Sequence, residues 1–248
     1  YLVRQEQEVC SEWSGFLKPM GVVGVMELLL MAEPDFGATV ICAGTAFGMV
    51  FLAGARLGHF IVVLLAALLG LVALVFSAPY RVQRLTAYTD PWADPFGSGF
   101  QLIQSLIAFG RGEWVGVGLG NSVQKLFYLP EAHTDFVFSI WSEETGLFGA
   151  LLVMGLFAAL IGRILWIARR AITAGEKFGA YVCYGTALIF SGQAFVNMGV
   201  SSGLLPTKGL TLPFVSYGGT SLIMSCCLLA LVLRIEHEGR QGRRRANG

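Results

Sequence analysis

The sequence predicts an all-α, polytopic membrane helix bundle, and three observations predict it. Hydrophobic residues make up 55% of the 248-residue chain. Charged residues contribute only 13%, against about a quarter in an ordinary soluble domain. The charges are also clustered, leaving apolar runs that approach the roughly 20 residues a helix needs to cross a bilayer.

Six runs qualify as spans: Pro19 to Ala32, Ala38 to Ala55, His59 to Ala78, Gly146 to Ala168, Phe178 to Val200 and Leu212 to Leu233. The first is short and carries Glu27, an acid inside an apolar run and so a functional candidate by default. Glu33-Pro34-Asp35-Phe36-Gly37 joins it to the second with the composition of a tight turn. The expected organisation is three spans in 1–78, a large outer loop in 79–135, three spans in 136–235 and a basic tail in 236–248. Tyr1-Leu2-Val3 runs straight into Arg4 and Gln5-Glu6-Gln7-Glu8, with no basic leader or small-residue cleavage site. It reads as the end of an earlier helix, so the chain is expected to be a fragment.

Basic residues orient the spans, because Lys and Arg concentrate in cytoplasmic loops. Twelve of the seventeen lie on one side: Arg4, Lys18, Arg56, Arg163, Arg169, Arg170, Lys177, Arg234, Arg240, Arg243, Arg244 and Arg245. The opposite side holds Arg81, Arg84, Arg111, Lys125 and Lys208. The first set is therefore cytoplasmic, tail included. The outer face carries the turn at Glu33 to Gly37, a loop at Ser201 to Thr211, and the segment from Pro79 to Asp135, too long for a passive connector. No ATP is available outside the membrane, so chemistry there needs a substrate with its own leaving group.

Within the outer segment, Asp90-Pro91-Trp92 and Asp94-Pro95-Phe96 are turn-like. Phe100 to Phe109 has Gln101, Gln104 and Ser105 at helical spacing among apolar residues, which predicts a short helix lying in the interface. The glycine run from Gly110 to Asn121 has no Gly-Lys-Ser/Thr and no preceding strand, so neither a P-loop nor a dinucleotide site is supported. Arg111 and Lys125 are candidates to meet a lipid pyrophosphate by charge.

Continued as a helix from Asp135, one face carries Asp135, Ser139, Ser142, Gly146 and Gly149, with Glu143 nearby and Glu144 pointing away. A lipid-facing helix has no use for that stripe; it should line a cavity or a close helix contact. Asp135 or Thr134 would alternatively be a simple helix cap. His133 is a weaker candidate, since a lone histidine is more often scaffold. Cys10, Cys42, Cys183, Cys226 and Cys227 form no CxxC, and His59, His133 and His237 cannot meet across the membrane, so neither a disulfide framework nor a histidine metal cluster is expected.

At these residues the chain becomes recognisable. Gly118 to Phe138, with Tyr128-Leu129-Pro130-Glu131-Ala132-His133-Thr134-Asp135, resembles the outer-loop motif of the SEDS (shape, elongation, division and sporulation) family of FtsW, RodA and SpoVE. So do Asp90 to Pro95, Gly99-Phe100-Gln101 and Glu33 to Thr39. The strongest match is Asn197 through Ser221, containing Gly203-Leu204-Leu205-Pro206-Thr207-Lys208-Gly209 and Pro213-Phe214-Val215-Ser216-Tyr217-Gly218-Gly219-Thr220-Ser221. The match covers nearly everything but the tail and is nearest the cell-division branch. One departure is Ile140-Trp141-Ser142-Glu143-Glu144-Thr145-Gly146, where members usually read Gly-Glu-Glu-Leu-Gly.

The resemblance implies a ten-helix fold with both ends cytoplasmic, of which the six spans are the last six. It implies a multi-pass protein of the bacterial inner membrane at the division septum, and a peptidoglycan glycosyltransferase that polymerises lipid II. Asp135 matches the essential carboxylate and becomes the candidate general base. Lys208 is the first candidate cation for the leaving pyrophosphate; His133, Lys125, Arg111 and Ser216 are further substrate-binding candidates. The implied partner is a class B penicillin-binding protein within the division machinery. No cofactor is certain, with a divalent cation such as magnesium left open. Two alternatives stand beside polymerisation: a lipid II flippase and a non-catalytic scaffold. A flippase would favour internal repeats and a midplane site; the densest polar constellation here lies at the outer surface.

Overall fold

The computed structural model describes residues 1–33, 35–76, 88–206 and 209–246, and its extended regular elements are helical throughout. In chain order they are α1 (Glu6–Ser11), α2 (Trp13–Ala32), α3 (Phe36–Leu52), α4 (Leu57–Phe76), α5 (Phe100–Gly112), α6 (Val137–Thr173), α7 (Lys177–Ser201) and α8 (Gly219–Ala246). A 3-10 turn at Pro91–Ala93 precedes α5, and a π-turn at Gln124–Tyr128 follows it. A helix overlaps each of the six expected spans, although residues 212–218 of the last are not helical and Ser77 and Ala78 of the third lie outside the described residues. Among the described residues α2, α6 and the first part of α8 are long and apolar enough to cross a membrane, while α3 and α4 give shorter apolar stretches.

The chain divides into two units, one made of 1–69, 159–192 and 223–248, the other of 70–158 and 193–222. In the first, Val9, Phe16, Val50, Ala53 and Ala55 form a buried core, with Met20, Phe60 and Tyr181 packed on it. Gly15 lets α2 meet α1, because a β-carbon there would strike the Glu8 backbone. Pro19 sits inside α2 and cannot donate to the carbonyl four residues back. The Tyr1 hydroxyl donates to that Gly15 carbonyl instead, at 3.2 Å. Of the turn expected at Glu33 to Gly37, Pro34 lies outside the described residues and Phe36 and Gly37 already belong to α3, which Asp35 caps by accepting from the Ala38 N–H at 2.9 Å. Leu28, Leu29 and Leu69 stay exposed, as lipid-facing side chains do.

The second unit is built around a break in α6. Its 37 residues would run about 55 Å as one helix, well beyond a bilayer core. At Gly146 the backbone leaves the helix, with φ 67° and ψ −164°. The glycine segment enters that gap. Val117 and Gly118 donate to the Glu143 and Glu144 carbonyls at 3.0 Å each, while Leu147 and Phe148 donate to the Glu113 and Trp114 carbonyls at 2.9 and 3.3 Å. Backbone groups that a helix break would orphan are thus paired with the loop. Close approach requires the glycines: a β-carbon on Gly112 would hit the Ser142 carbonyl, and one on Gly116 the Glu144 carbonyl.

A helix, α5, covers the expected stretch Phe100 to Phe109, and Asp94 braces the turn before it by accepting from the Ser98 N–H and Oγ. These bonds hold the Asp94 carboxyl below its ordinary range. The polar side of α5 does not simply face water, however. Ser105 is fully buried, hydrogen-bonds Ser139 Oγ at 2.6 Å and donates to the Ser201 carbonyl at 2.5 Å. A hydroxyl is small enough to be enclosed once paired, whereas Gln101 and Gln104 remain partly exposed.

Candidate functional site

The stripe expected below Asp135 is real and packs inward. Ser139, Ser142 and Glu143 are buried, as are Gly146 and Gly149. It forms a close contact with α5 and the glycine loop rather than a lipid face, though Gly146 interrupts the helical register that the spacing assumed.

Asp135 lies two residues before α6, in a turn where Glu131 adopts φ 55°. Neither cap is formed by the described residues: Thr134 Oγ1 donates to the Glu131 carboxylate at 2.7 Å, and burial and the Glu131 charge, with no hydrogen bond from the described residues, act on the Asp135 carboxylate. That carboxylate is half-buried. Burial first, then the nearby Glu131 charge, raises its pKa to about 6. Gly209 closes one side, where a β-carbon would sit 2.8 Å from Oδ2.

The turn is held from behind by the stretch after α7 starts to end. Tyr217 N–H donates to the His133 carbonyl at 2.9 Å. Ser216 Oγ donates to the Thr134 carbonyl at 2.6 Å and accepts from Leu212 N–H at 2.7 Å. Asn197 Nδ2 donates to the Asp135 carbonyl at 2.8 Å and to that of Leu210 at 2.6 Å. Three consecutive carbonyls are thereby fixed. Beneath them Leu129, Ala132, Phe136, Ile140 and Val200 pack as a small core.

The other candidate residues separate. His133 is exposed on the same turn, and Ser216 beside it commits its hydroxyl to backbone. Arg111 pairs with Glu143 at 3.2 Å and Lys125 with Glu144 at 2.7 Å. Glu143, fully buried, also accepts from Ser122 Oγ and the Val123 and Gln124 N–H groups. The two cations offered to a pyrophosphate are thus already engaged in pinning the glycine loop. Lys208 lies outside the described residues. Glu27, in the other unit, has both carboxylate oxygens enclosed without a partner among the described residues. No three His, Cys, Asp or Glu side chains gather at a metal-holding point among them. Sequence reasoning missed Asn197 and Gly209; an amide inside the apolar run of α7 was the available signal for the first.

Helices that bury their polar stripes and leave leucines exposed define a multi-pass membrane protein, here with one half-buried acid in a pinned turn. The family model described as "Cell cycle protein", FtsW/RodA/SpoVE, matches residues 1–241. The chain belongs to that family.

A "Probable peptidoglycan glycosyltransferase FtsW" of Marinobacter nauticus is 59% identical over 246 residues, covering 99% of this chain and 61% of the relative. One of Coxiella burnetii with the same name is 56% identical, covering 96% and 64%. The chain thus spans about three fifths of the length of the curated relatives it matches. Among solved structures, a chain from "Structural coordination of polymerization and crosslinking by a peptidoglycan synthase complex" superposes with TM-score 0.71 at 33% identity, covering 91% of this chain and 62% of its own. The rod-shape-determining RodA of Thermus thermophilus gives TM-score 0.61 at 26% identity, covering 96% and 62%.

Proposed function

We propose that this chain carries the catalytic carboxylate of a peptidoglycan glycosyltransferase that polymerises lipid II during septal wall synthesis. The observation that carries it is Asp135: half-buried, without a donor among the described residues, and with its pKa raised to about 6. Such an acid is ionised near neutrality yet more basic than an ordinary aspartate, which suits a general base. The names of the relatives, at 54–59% identity, support the same reaction.

In the reaction, the 4-hydroxyl of an acceptor's GlcNAc attacks the anomeric carbon of the donor's MurNAc. Asp135 Oδ takes the hydroxyl proton as the new C–O bond forms. The bond to undecaprenyl pyrophosphate breaks, and the α-linked donor becomes a β-linked strand. The leaving pyrophosphate needs a cation, and Lys208 remains the first candidate because Arg111 and Lys125 are held by Glu143 and Glu144. His133, exposed on the same turn, is the further candidate to touch a sugar or peptide. Among the described residues Asp135 and Glu131 gather no third acid, histidine or cysteine with which to hold a divalent ion.

The setting we infer is the bacterial inner membrane at the septum, with the C-terminus cytoplasmic and a class B penicillin-binding protein as cross-linking partner. The structural relative drawn from a peptidoglycan synthase complex supports that pairing. The test is full-length protein with its partner, given labelled lipid II. Wild type should build glycan chains, and Asp135→Ala and Asp135→Asn should not. Transbilayer movement of lipid II without chain growth would favour a flippase.

A further inference from the structure

The signature stretch, which begins in the last turns of α7 at Asn197, is where a substrate contact would first be sought. Two of its described polar side chains, Asn197 and Ser216, instead turn onto backbone carbonyls of the protein. Asn197 is 1% exposed and uses both amide hydrogens on carbonyls from two different segments. One carbonyl belongs to Asp135 itself. The other belongs to Leu210, next to Gly209, whose α-carbon closes on the Asp135 carboxylate. A single amide therefore sets the spacing between the acid and the wall of its own site. Its Oδ1 is enclosed with no partner among the described residues. A buried unsatisfied acceptor is costly, so an apolar side chain would serve here unless the two donors were needed.

Ser216 acts in parallel. Its hydroxyl accepts from Leu212 and donates to Thr134, so one oxygen joins the signature loop to the Asp135 turn. Both joined segments hold a non-glycine residue at positive φ, Glu131 at 55° and Phe214 at 64°. Such conformations persist only where surrounding contacts over-determine them. Each segment supplies the contacts that hold the other.

We propose that Asn197 and Ser216 are positioning residues that set the place of Asp135 through its backbone, without themselves touching lipid II. This rests on the polymerase reading above. A general base must sit within hydrogen-bond reach of the proton it takes, and a displacement of about 1 Å can cost roughly 100-fold in rate. This lock of two side chains fixes the carbonyls at positions 134 and 135, and the Asp135 carboxylate carbon stands only two bonds from the α-carbon next to the second of these.

The experiment uses full-length protein with its partner and measures initial rates of chain growth against lipid II concentration. Asn197→Ala should lower kcat about 100-fold with KM within about twofold, since substrate contacts are untouched. Asn197→Asp keeps the shape but turns acceptors toward two carbonyls, and should be no better than alanine. Ser216→Ala should lose about 10-fold in kcat, and Ser216→Thr, which keeps the hydroxyl, should regain most of it. A raised KM at unchanged kcat would assign these residues to substrate binding and overturn the proposal. So would wild-type kcat per folded molecule in Asn197→Ala. Should Asn197→Ala fail to fold, the Ser216→Ala and Ser216→Thr pair decides by the same criteria. If Asp135→Asn polymerises normally the catalytic reading itself falls; if it is dead while both lock variants are normal, only the lock falls.

Discussion

Gly209 lies against Asp135 so closely that a β-carbon at position 209 would stand 2.8 Å from Oδ2. The atom it would meet is the free end of a side chain, which can rotate away at little cost to folding. Gly209→Ala should therefore leave thermal unfolding nearly unchanged, within about 0.5 kcal/mol, while lowering polymerisation roughly 10- to 100-fold. Parallel melting and chain-growth assays check it. Loss of both together would mean that the backbone, not the carboxylate, had moved.

The raised pKa of Asp135 gives two pH effects with definite signs. Activity needs the carboxylate, so the rate should fall about tenfold per unit below a pKa of about 6. Stability runs the other way. Above pH 6 the acid is charged in both folded and unfolded chains, and the folded state bears the cost of burying it. As pH falls from about 6 toward 3.8 the folded state takes the proton first and that cost is relieved. Asp135→Asn should then be the more stable protein at pH 7.5, by about 1 kcal/mol after solvent screening, with the advantage fading toward pH 4. Equal stability at all pH values would show that the carboxylate is not desolvated.

How much of this was legible follows from what a linear pattern encodes. Apolar runs bounded by charges mark the helices, and the small polar stripe from Asp135 to Gly149 marks the packed face of α6. The pins on the Asp135 turn are backbone carbonyls, which leave no trace in residue type. Pairing of Arg111 with Glu143 closes across 32 positions of sequence, and that of Lys125 with Glu144 across 19. Spacing alone therefore showed two available cations where the fold holds two engaged ones. Gly146 counted as a small residue in the stripe, and only its φ of 67° reveals a helix break.

Glu143 should be the most sensitive charge in the loop clamp. It is fully buried and serves Arg111, Ser122 and two backbone N–H groups, so Glu143→Ala leaves several donors unpaired. A loss of about 3 kcal/mol is expected in detergent unfolding, with faster proteolysis between Glu113 and Leu126. Arg111→Ala should cost about 1 kcal/mol or less, because that guanidinium is 42% exposed and contributes one side of a partly hydrated pair.

The break in α6 offers a comparison within one helix. At Gly146 an added β-carbon would sit 2.5 Å from the Gly116 nitrogen, the Trp114 carbonyl carbon and the Val115 nitrogen, at a φ that L-residues rarely adopt. Those obstacles are loop backbone held to α6 by four hydrogen bonds and cannot swing aside. Gly146→Ala should therefore destabilise by several kcal/mol, or drive the helix straight and expel the glycine loop. At Gly155, further along α6, nothing lies within 4 Å of the added carbon. Gly155→Ala should be neutral or stabilise by about 0.5 kcal/mol, since it only restricts the unfolded chain. Thermal unfolding of the two variants side by side separates strain at the break from any general intolerance of α6. Similar behaviour of both would mean that the break is not what joins the glycine loop to this helix.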